Sequence, residues 1–346
     1  VAAVAGTGSA ANHAGNTENN LHKPGRTDPA GFRFCLALTY RGGMRRRDFL
    51  FASASLLGPV QNSVLVHEHI LVDFGGWRIA TPARYDRDEV FRTARPKLEE
   101  LRPFGCRRLQ ECTPNYLGRD PVLLRRLQDA TGIELWTNTG IYGAANRIGV
   151  PDYARTETAE QLARRWTAEG KQGIGGEKPR FIKTAVNGYP LDGLDRKLVE
   201  AAAITSRETG LVICSHTNGA GQAAVAQLEI LERMKVPASR FVWVHAQNEK
   251  NHSFHEQVAK AGAWVEFDGI NAKSAAWHLE CVRFMQQRGL LDRTLISQDS
   301  GWYHAGEPGG GQFNGFTFIY TDFLPQLTSQ ATDALLVRNP VACFGD

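Results

Sequence analysis

No apolar run in this sequence approaches the roughly 18 residues needed to cross a bilayer, so no membrane span is expected. No basic run is interleaved with aromatics either. Arginine outnumbers lysine but alternates with acids, as in Tyr85-Asp86-Arg87-Asp88-Glu89, and the formal net charge is only +4 over 346 residues. Nucleic acid is therefore not an expected partner. Cysteine is sparse and scattered: Cys35, Cys106, Cys112, Cys214, Cys281 and Cys343 form no CxxC. That excludes a zinc ribbon and a disulfide framework, and leaves buried free thiols as the expectation. The glycine-rich stretch Gly306–Gly311 lacks the Lys-Ser/Thr pair that closes a phosphate-binding loop, and is expected to be a lid at most. What is present is ordinary for a globular chain, with 42% apolar and 22% charged residues. The length suits one large domain.

Three segments differ in character. Residues 1–43 are rich in Gly, Ala, Asn, Thr and Pro, show no periodicity and start at Val1, so they read as disordered or as translated upstream sequence. Residues 44–60 begin Met44-Arg45-Arg46-Arg47-Asp48-Phe49-Leu50 and continue into a weakly apolar run of small residues. Paired arginines before such a run resemble a twin-arginine export signal, which would place the protein in the periplasm or outside the cell. The apolar run flows almost directly into the next strand, leaving little room for cleavage, so a cytoplasmic location stays open. Residues 61–346 read as a single catalytic domain.

Within that domain short β-branched runs alternate with helical patterns. Strands are predicted at Val64–Val66, Arg108–Cys112, Glu134–Thr137, Arg180–Thr184, Leu211–Cys214, Phe241–Val244, Trp264–Phe267 and Thr294–Ser297. Between them, stretches such as Asp195–Glu208 and Ala220–Met234 repeat apolar residues at three and four, the spacing of a helix with one buried face. Gly132, Gly210 and Gly262 fall where a left-handed helix stop belongs. Eight strand–helix units imply parallel strands and a (β/α)8 TIM barrel, with an open doubly wound sheet as the alternative.

The polar residues favour the barrel, whose active site forms at the C-terminal ends of its strands. Strand one runs into His67-Glu68-His69, strand two closes with Glu111, and Tyr142 follows strand three. Strand four carries Lys183, and the remaining strands end at His216, His245, Asp268 and Asp299. Two residues apart on a strand, His67 and His69 face one side and can grip one cation. Imidazole suits Zn, Co, Ni or Mn, and carboxylate helps to hold a harder or second ion. Lys183 is out of place in a buried strand. It is either half of an ion pair with Glu111 or Asp299, or an amine whose charge is suppressed by burial.

Together these residues resemble the phosphotriesterase family of the amidohydrolase superfamily, from about Val64 to Phe344. The matching text is Leu65-Val66-His67-Glu68-His69, Gly118-Arg119-Asp120, Thr139-Gly140-Ile141-Tyr142, Phe181-Ile182-Lys183, Ser215-His216-Thr217-Asn218, Val244-His245, Ile296-Ser297-Gln298-Asp299 and Asn339-Pro340. The resemblance implies two divalent metal ions, zinc first with Co, Mn or Ni as alternatives. They would be bridged by hydroxide and by Lys183 as N6-carboxylysine. His67, His69 and Asp299 would bind the buried ion, His216 and His245 the exposed one, and Asp299 would also serve as the catalytic proton acceptor. A homodimer is implied by the resemblance alone.

The implied reaction is metal-dependent hydrolysis of an ester-type bond in a small molecule (lactone, carboxylester or organophosphate ester), with the bridging hydroxide as nucleophile. Tyr142 matches a pocket tyrosine of lactonase relatives. Trp302, Asp268 and Trp77 are the other candidate pocket residues. The Arg that follows the strand-seven Asp in lactonases is replaced here by Gly269-Ile270-Asn271, which weighs against long-chain acyl lactones. Amide hydrolysis is the alternative chemistry, and a non-catalytic metal-binding barrel the alternative outside enzymes.

Overall fold

The computed structural model describes residues 58–217 and 221–346. The expectations for residues 1–43 and for the export signal lie outside the described residues, except for the last few positions of the latter. Ten strands form: β1 (Ser63–Val72), β2 (Cys106–Glu111), β3 (Glu134–Trp136), β4 (Asn138–Thr139), β5 (Phe181–Val186), β6 (Val212–Thr217), β7 (Phe241–Val244), β8 (Trp264–Phe267), β9 (Thr294–Ile296) and β10 (Gly301–His304). All neighbours pair in parallel, in the orders β10-β1-β2-β3 and β4-β5-β6-β7-β8-β9. Only Thr137 separates β3 from β4, so these two are one barrel strand with a break in its ladder.

The other seam closes through the segment after β9. There Asp299 N donates to His67 O at 3.0 Å and His69 N donates to Ser300 O at 2.8 Å. Eight strands thus form a ring, as the alternating pattern predicted. The departure is β10, which extends β1 beyond the barrel rim through the register His69↔Gly301 to Val72↔His304. β1 therefore runs on to Val72 rather than stopping at Val66, since His69-Ile70-Leu71-Val72 finds a parallel partner there. Gly301 makes that approach possible: its φ is +100°, and a Cβ would lie 1.7 Å from the His69 carbonyl oxygen.

Two apolar cores result. The inner one, holding Val64, Trp136, Phe181, Val212, Val242, Trp264 and Leu295, fills the barrel with residues from successive strands. The outer one seals the strands against the helices and contains Leu65, Ile182 and Ile213, their neighbours of opposite parity. The helices Pro121–Thr131 and Gly193–Thr209 end in left-handed stops at Gly132 and Gly210. Two motif segments support the frame. Asp120 caps the helix Pro121–Thr131 through Leu123 N and accepts from Tyr85 and Arg87. Asn339 holds the last helix to Leu291 O and Thr294 O, under the last barrel strand. All five cysteines in the described region are buried and free. No helix among the described residues is long and apolar enough to cross a membrane.

Candidate metal centre and active site

Inner-core residues and site residues lie on the same faces of most strands. Phe181 leads to Lys183, Val212 and Cys214 to His216, Trp264 to Glu266 and Asp268, and Leu295 to Ser297 and Asp299, each step being two residues. Two strands break this parity. On β1 the inner-core residues are Val64 and Val66, which would send His67 and His69 outward. A bulge between Leu65 and Glu68 shifts the register against β2 by one residue, and one extra residue exchanges the two faces of a strand. On β7, Val242 and Val244 face inward, and His245 is turned into the site by a left-handed backbone with φ of 63°. Asp299 is also left-handed, with φ of 49°. Left-handed backbone, which His and Asp adopt more readily than most residues, occurs at two positions of the site.

A cleft of about 440 Å³ opens over these residues, lined by His67, His69, Lys183, His216, His245 and Asp299. His67 Nδ1 is held by Glu266 Oε1 at 2.7 Å, which leaves Nε2 facing Lys183 Nζ at 3.2 Å. His69 Nδ1 is held by Thr113 Oγ1 at 2.7 Å, which turns Nε2 toward Asp299 Oδ1, 3.1 Å away. His245 Nδ1 is held by Asp268, whose second oxygen accepts from the His245 backbone N–H at 3.0 Å. Tying one ring nitrogen so that the other presents its lone pair is how metal-ligating histidines are oriented. Burial pushes His67 down to about 3, and also lowers His69 and His216, so all three are neutral imidazoles at pH 7. Burial acts to raise the Asp299 carboxyl, but His67, His69 and His245 outweigh it and hold the group well below the usual carboxylate range.

These donors fit a divalent cation. His67, His69 and Asp299 offer ligand atoms within 4.8 Å of one another, and the buried Asp299 Oδ1 faces the Nε2 atoms of His69 and His67 at 3.1 and 3.8 Å without a well-aligned hydrogen bond to either. A second grouping, His67 with His245 and Asp268, is equally compact. There, however, both Asp268 oxygens already serve the His245 ring, its backbone N–H and Gln247 Nε2. That grouping supports the first rather than making a further site.

Lys183 is 2% exposed, and no ion pair with Glu111 or Asp299 forms. Glu111 instead accepts from Ile70 N behind the strand, where burial pushes its carboxyl up to about 8. Burial opposes the Lys183 ammonium, but the charges of Cys112, Glu266, Cys214 and Asp268, where present, outweigh it and hold the amine above its ordinary value. Burial pushes Cys112, Cys214 and Glu266 well above their ordinary values, whereas His245 and His67 hold Asp268 well below its own, so Asp268 is the main source of that compensation.

The expected pocket residues divide. Tyr142 lines the cleft, with its hydroxyl 3.2 Å from His216 Nε2. Trp302 lines it too; its ring centroid lies 4.6 Å from that of His69, and Nε1 donates to the Asp299 carbonyl at 2.7 Å. Trp77 does not line it: its backbone is bound to Ile148 O and its ring packs under the Arg78 guanidinium. Asp268 is likewise corrected from pocket wall to support for His245, because it is fully buried beneath that ring. The glycine-rich stretch folds onto Tyr303 and does not line the cleft, so it is no lid over this site in the structure. Phe74, half exposed at the mouth and stacked on Trp302, was missed in the sequence for want of any periodic or motif signal. Glu266 was missed although its position two residues before Asp268 on strand seven could have found it.

Fold and site together define a class: a (β/α)8 barrel with histidines, a lysine and carboxylates gathered at the C-terminal ends of its strands, where the histidines and carboxylates could hold a metal ion. Within that class the chain belongs to the phosphotriesterase family, which residues 53–344 match. It is 28% identical over 291 residues to a phosphotriesterase homology protein of Escherichia coli, covering 81% of this chain and 97% of that one. It is 29% identical over 206 residues to an aryldialkylphosphatase of Saccharolobus solfataricus (59% and 65%). It is 26% identical over 271 residues to an N-acetyltaurine hydrolase of Mus musculus (70% and 75%). Among solved structures, an Escherichia coli phosphotriesterase homology protein with phosphate in its active site superposes with a TM-score of 0.70 at 25% identity, covering 84% of this chain and all of that one.

Proposed function

We propose that this family member hydrolyses an uncharged ester-type substrate (a lactone, carboxylester or organophosphate triester) at a binuclear centre, with zinc as the first choice of metal and Lys183 carboxylated. His67, His69 and Asp299 would hold one ion, His216 and His245 the other, and Lys183 would join the two sets. The observation that carries the reading is the convergence of the oriented His67 and His69 Nε2 atoms, the buried Asp299 Oδ1 that faces them and a desolvated lysine amine in one cleft. Carboxylation of Lys183 replaces a buried cation by an anionic ligand. When bound, the cations supply Lewis acidity to the electrophile's oxygen and bring the pKa of water from 15.7 toward about 7.

The residues supply the rest. Asp299 stays ionised and takes the proton of the attacking water at its carboxylate. Burial raises the Tyr142 phenol, which keeps its proton and can donate to charge developing on the substrate oxygen. Val72, Phe74, Pro114 and Leu117 give the cleft apolar walls, and among the described residues Lys183 is the one Lys or Arg that lines it. That favours neutral substrates over an anionic amide such as N-acetyltaurine, whose sulfonate would find no side-chain cation. The amide reading retains support from the mouse relative named for that reaction.

The test is elemental analysis of protein expressed from Met44 with zinc and bicarbonate, followed by turnover of a 4-nitrophenyl dialkyl phosphate, aryl acetates, lactones and N-acetyltaurine. About two metals per chain and turnover confined to the neutral esters support the reading. Metal-free protein overturns the centre, and preferential cleavage of N-acetyltaurine overturns the substrate class.

A further inference from the structure

β9 ends at Ile296 and β10 begins at Gly301, so Asp299 sits in a four-residue segment between strands, joined to β1 by the backbone bonds from Asp299 N to His67 O and from His69 N to Ser300 O. Its backbone is left-handed, a conformation that persists only where the surroundings over-determine it. The surroundings include one buried side chain that neither the fold nor the cleft otherwise requires. Glu68 lies between His67 and His69 and points away from the cleft, fully buried. Its Oε1 accepts from Ser297 Oγ at 2.8 Å and from Gln298 N at 3.0 Å, and its Oε2 accepts from Ser300 N at 2.8 Å. Ser297 Oγ in turn accepts from His67 N at 3.0 Å. One carboxylate therefore grips the chain on both sides of Asp299 and joins it to the strand that carries the two histidines.

We infer that Glu68 is a positioning residue that sets Asp299 against His67 and His69 as a metal ligand, by clamping residues 297–300 onto β1. This rests on the metal-centre reading above. Three donors converge on Glu68, so the residue must accept at both oxygens. Glutamine would turn an N–H₂ toward one of these donors whichever way its amide lay, and aspartate would be one methylene short.

The test is metal affinity in a double-mutant cycle. Metal-free wild type, Glu68→Gln, Asp299→Asn and the double variant are titrated with Zn²⁺ against a chromophoric chelator, with circular dichroism to establish folding. Glu68→Gln is expected to weaken Zn²⁺ binding 10- to 100-fold, the range for loss of a group that orients a ligand. In the Asp299→Asn background the same change is expected to weaken it less than about 3-fold, since the clamp then has no ligand to position. Wild-type affinity in Glu68→Gln, or an equal loss in both backgrounds, overturns the inference by making Glu68 a general support of the fold. Should Glu68→Gln not fold, Ser297→Ala removes one arm of the clamp and is expected to lose affinity in the same direction; unchanged affinity there also overturns it. A wild type that binds no Zn²⁺ removes the metal-centre reading as well, whereas a wild type that binds beside an indifferent Glu68→Gln removes this inference alone.

Discussion

Replacing Lys183 by methionine should move the stability of the metal-free and metal-loaded proteins in opposite directions. The amine is 2% exposed, and its hydrogen-bond partner in the structure is His67 Nε2 at 3.2 Å. Burial opposes its ammonium and Asp268 is its main compensation; a buried charge held this way carries a desolvation penalty of about 2–4 kcal/mol that an apolar isostere avoids. Methionine fills similar volume with no charge to desolvate, and the lost hydrogen bond gives back about 1 kcal/mol. The balance is a gain of about 1–3 kcal/mol in the metal-free protein. At about 2 °C per kcal/mol for a domain of this size, Tm should rise by about 2–6 °C. With metal, the wild type gains about 4 kcal/mol per site at a thousandfold excess over Kd, and the variant forfeits much of that. Differential scanning calorimetry with and without a chelator, beside elemental analysis, reads both signs. A metal-free Lys183→Met protein that melts below wild type while keeping its full metal complement would refute the reasoning, and would make Lys183 a structural cation.

Asp299→Asn should lower kcat by about 10²-fold or more with the fold intact, the size of a lost proton acceptor, and steady-state kinetics beside circular dichroism checks it. Gly301→Ala places a Cβ 1.7 Å from the His69 carbonyl at a φ of +100°. It should destabilise by about 3 kcal/mol or more, measured as a fall in urea midpoint, with loss of metal uptake as β1 shifts. His255 provides a pH test away from the cleft. Burial is the main cause that lowers it from 6.5 to about 4. The unfolded chain therefore binds the extra proton between those values, so this contribution is complete above pH 6.5 and is lost as pH falls toward 4. It amounts to about 3 kcal/mol. His255→Gln should flatten the pH dependence of the urea midpoint across that window by about that amount, and an unchanged slope would sink the assignment.

Much of this was legible along the chain because it is local. Alternation of strand and helix patterns marked the eight units, and six of the eight predicted strands match observed ones to within two residues. Motif text was informative for a different reason. Gly118-Arg119-Asp120 and Asn339-Pro340 point to the family yet hold up the frame rather than the chemistry, through Asp120 at a helix N-terminus and Asn339 under the last barrel strand. Trp77 was misplaced because proximity to a strand end in sequence says nothing about which way the following loop turns, and Asp268 because strand parity does not show that the His245 ring covers it.

Residue identity alone determined which groups could bind metal: histidines, a carboxylate and a lysine at strand ends, with neighbouring apolar positions that leave that lysine no solvent. It did not determine that they meet. By simple alternation His67 and His69 continue the parity of Leu65, which packs outward, and His245 opposes Val244, which fills the barrel. A bulge against β2 and a left-handed residue after β7 turn all three inward. The bulge is a matter of register between strands some 40 residues apart. The left-handed backbone at His245 persists in the company of Asp268, which grips both its ring and its backbone N–H. Period-two reasoning within one strand contains neither fact, because both depend on hydrogen bonds that exist only once the barrel has closed.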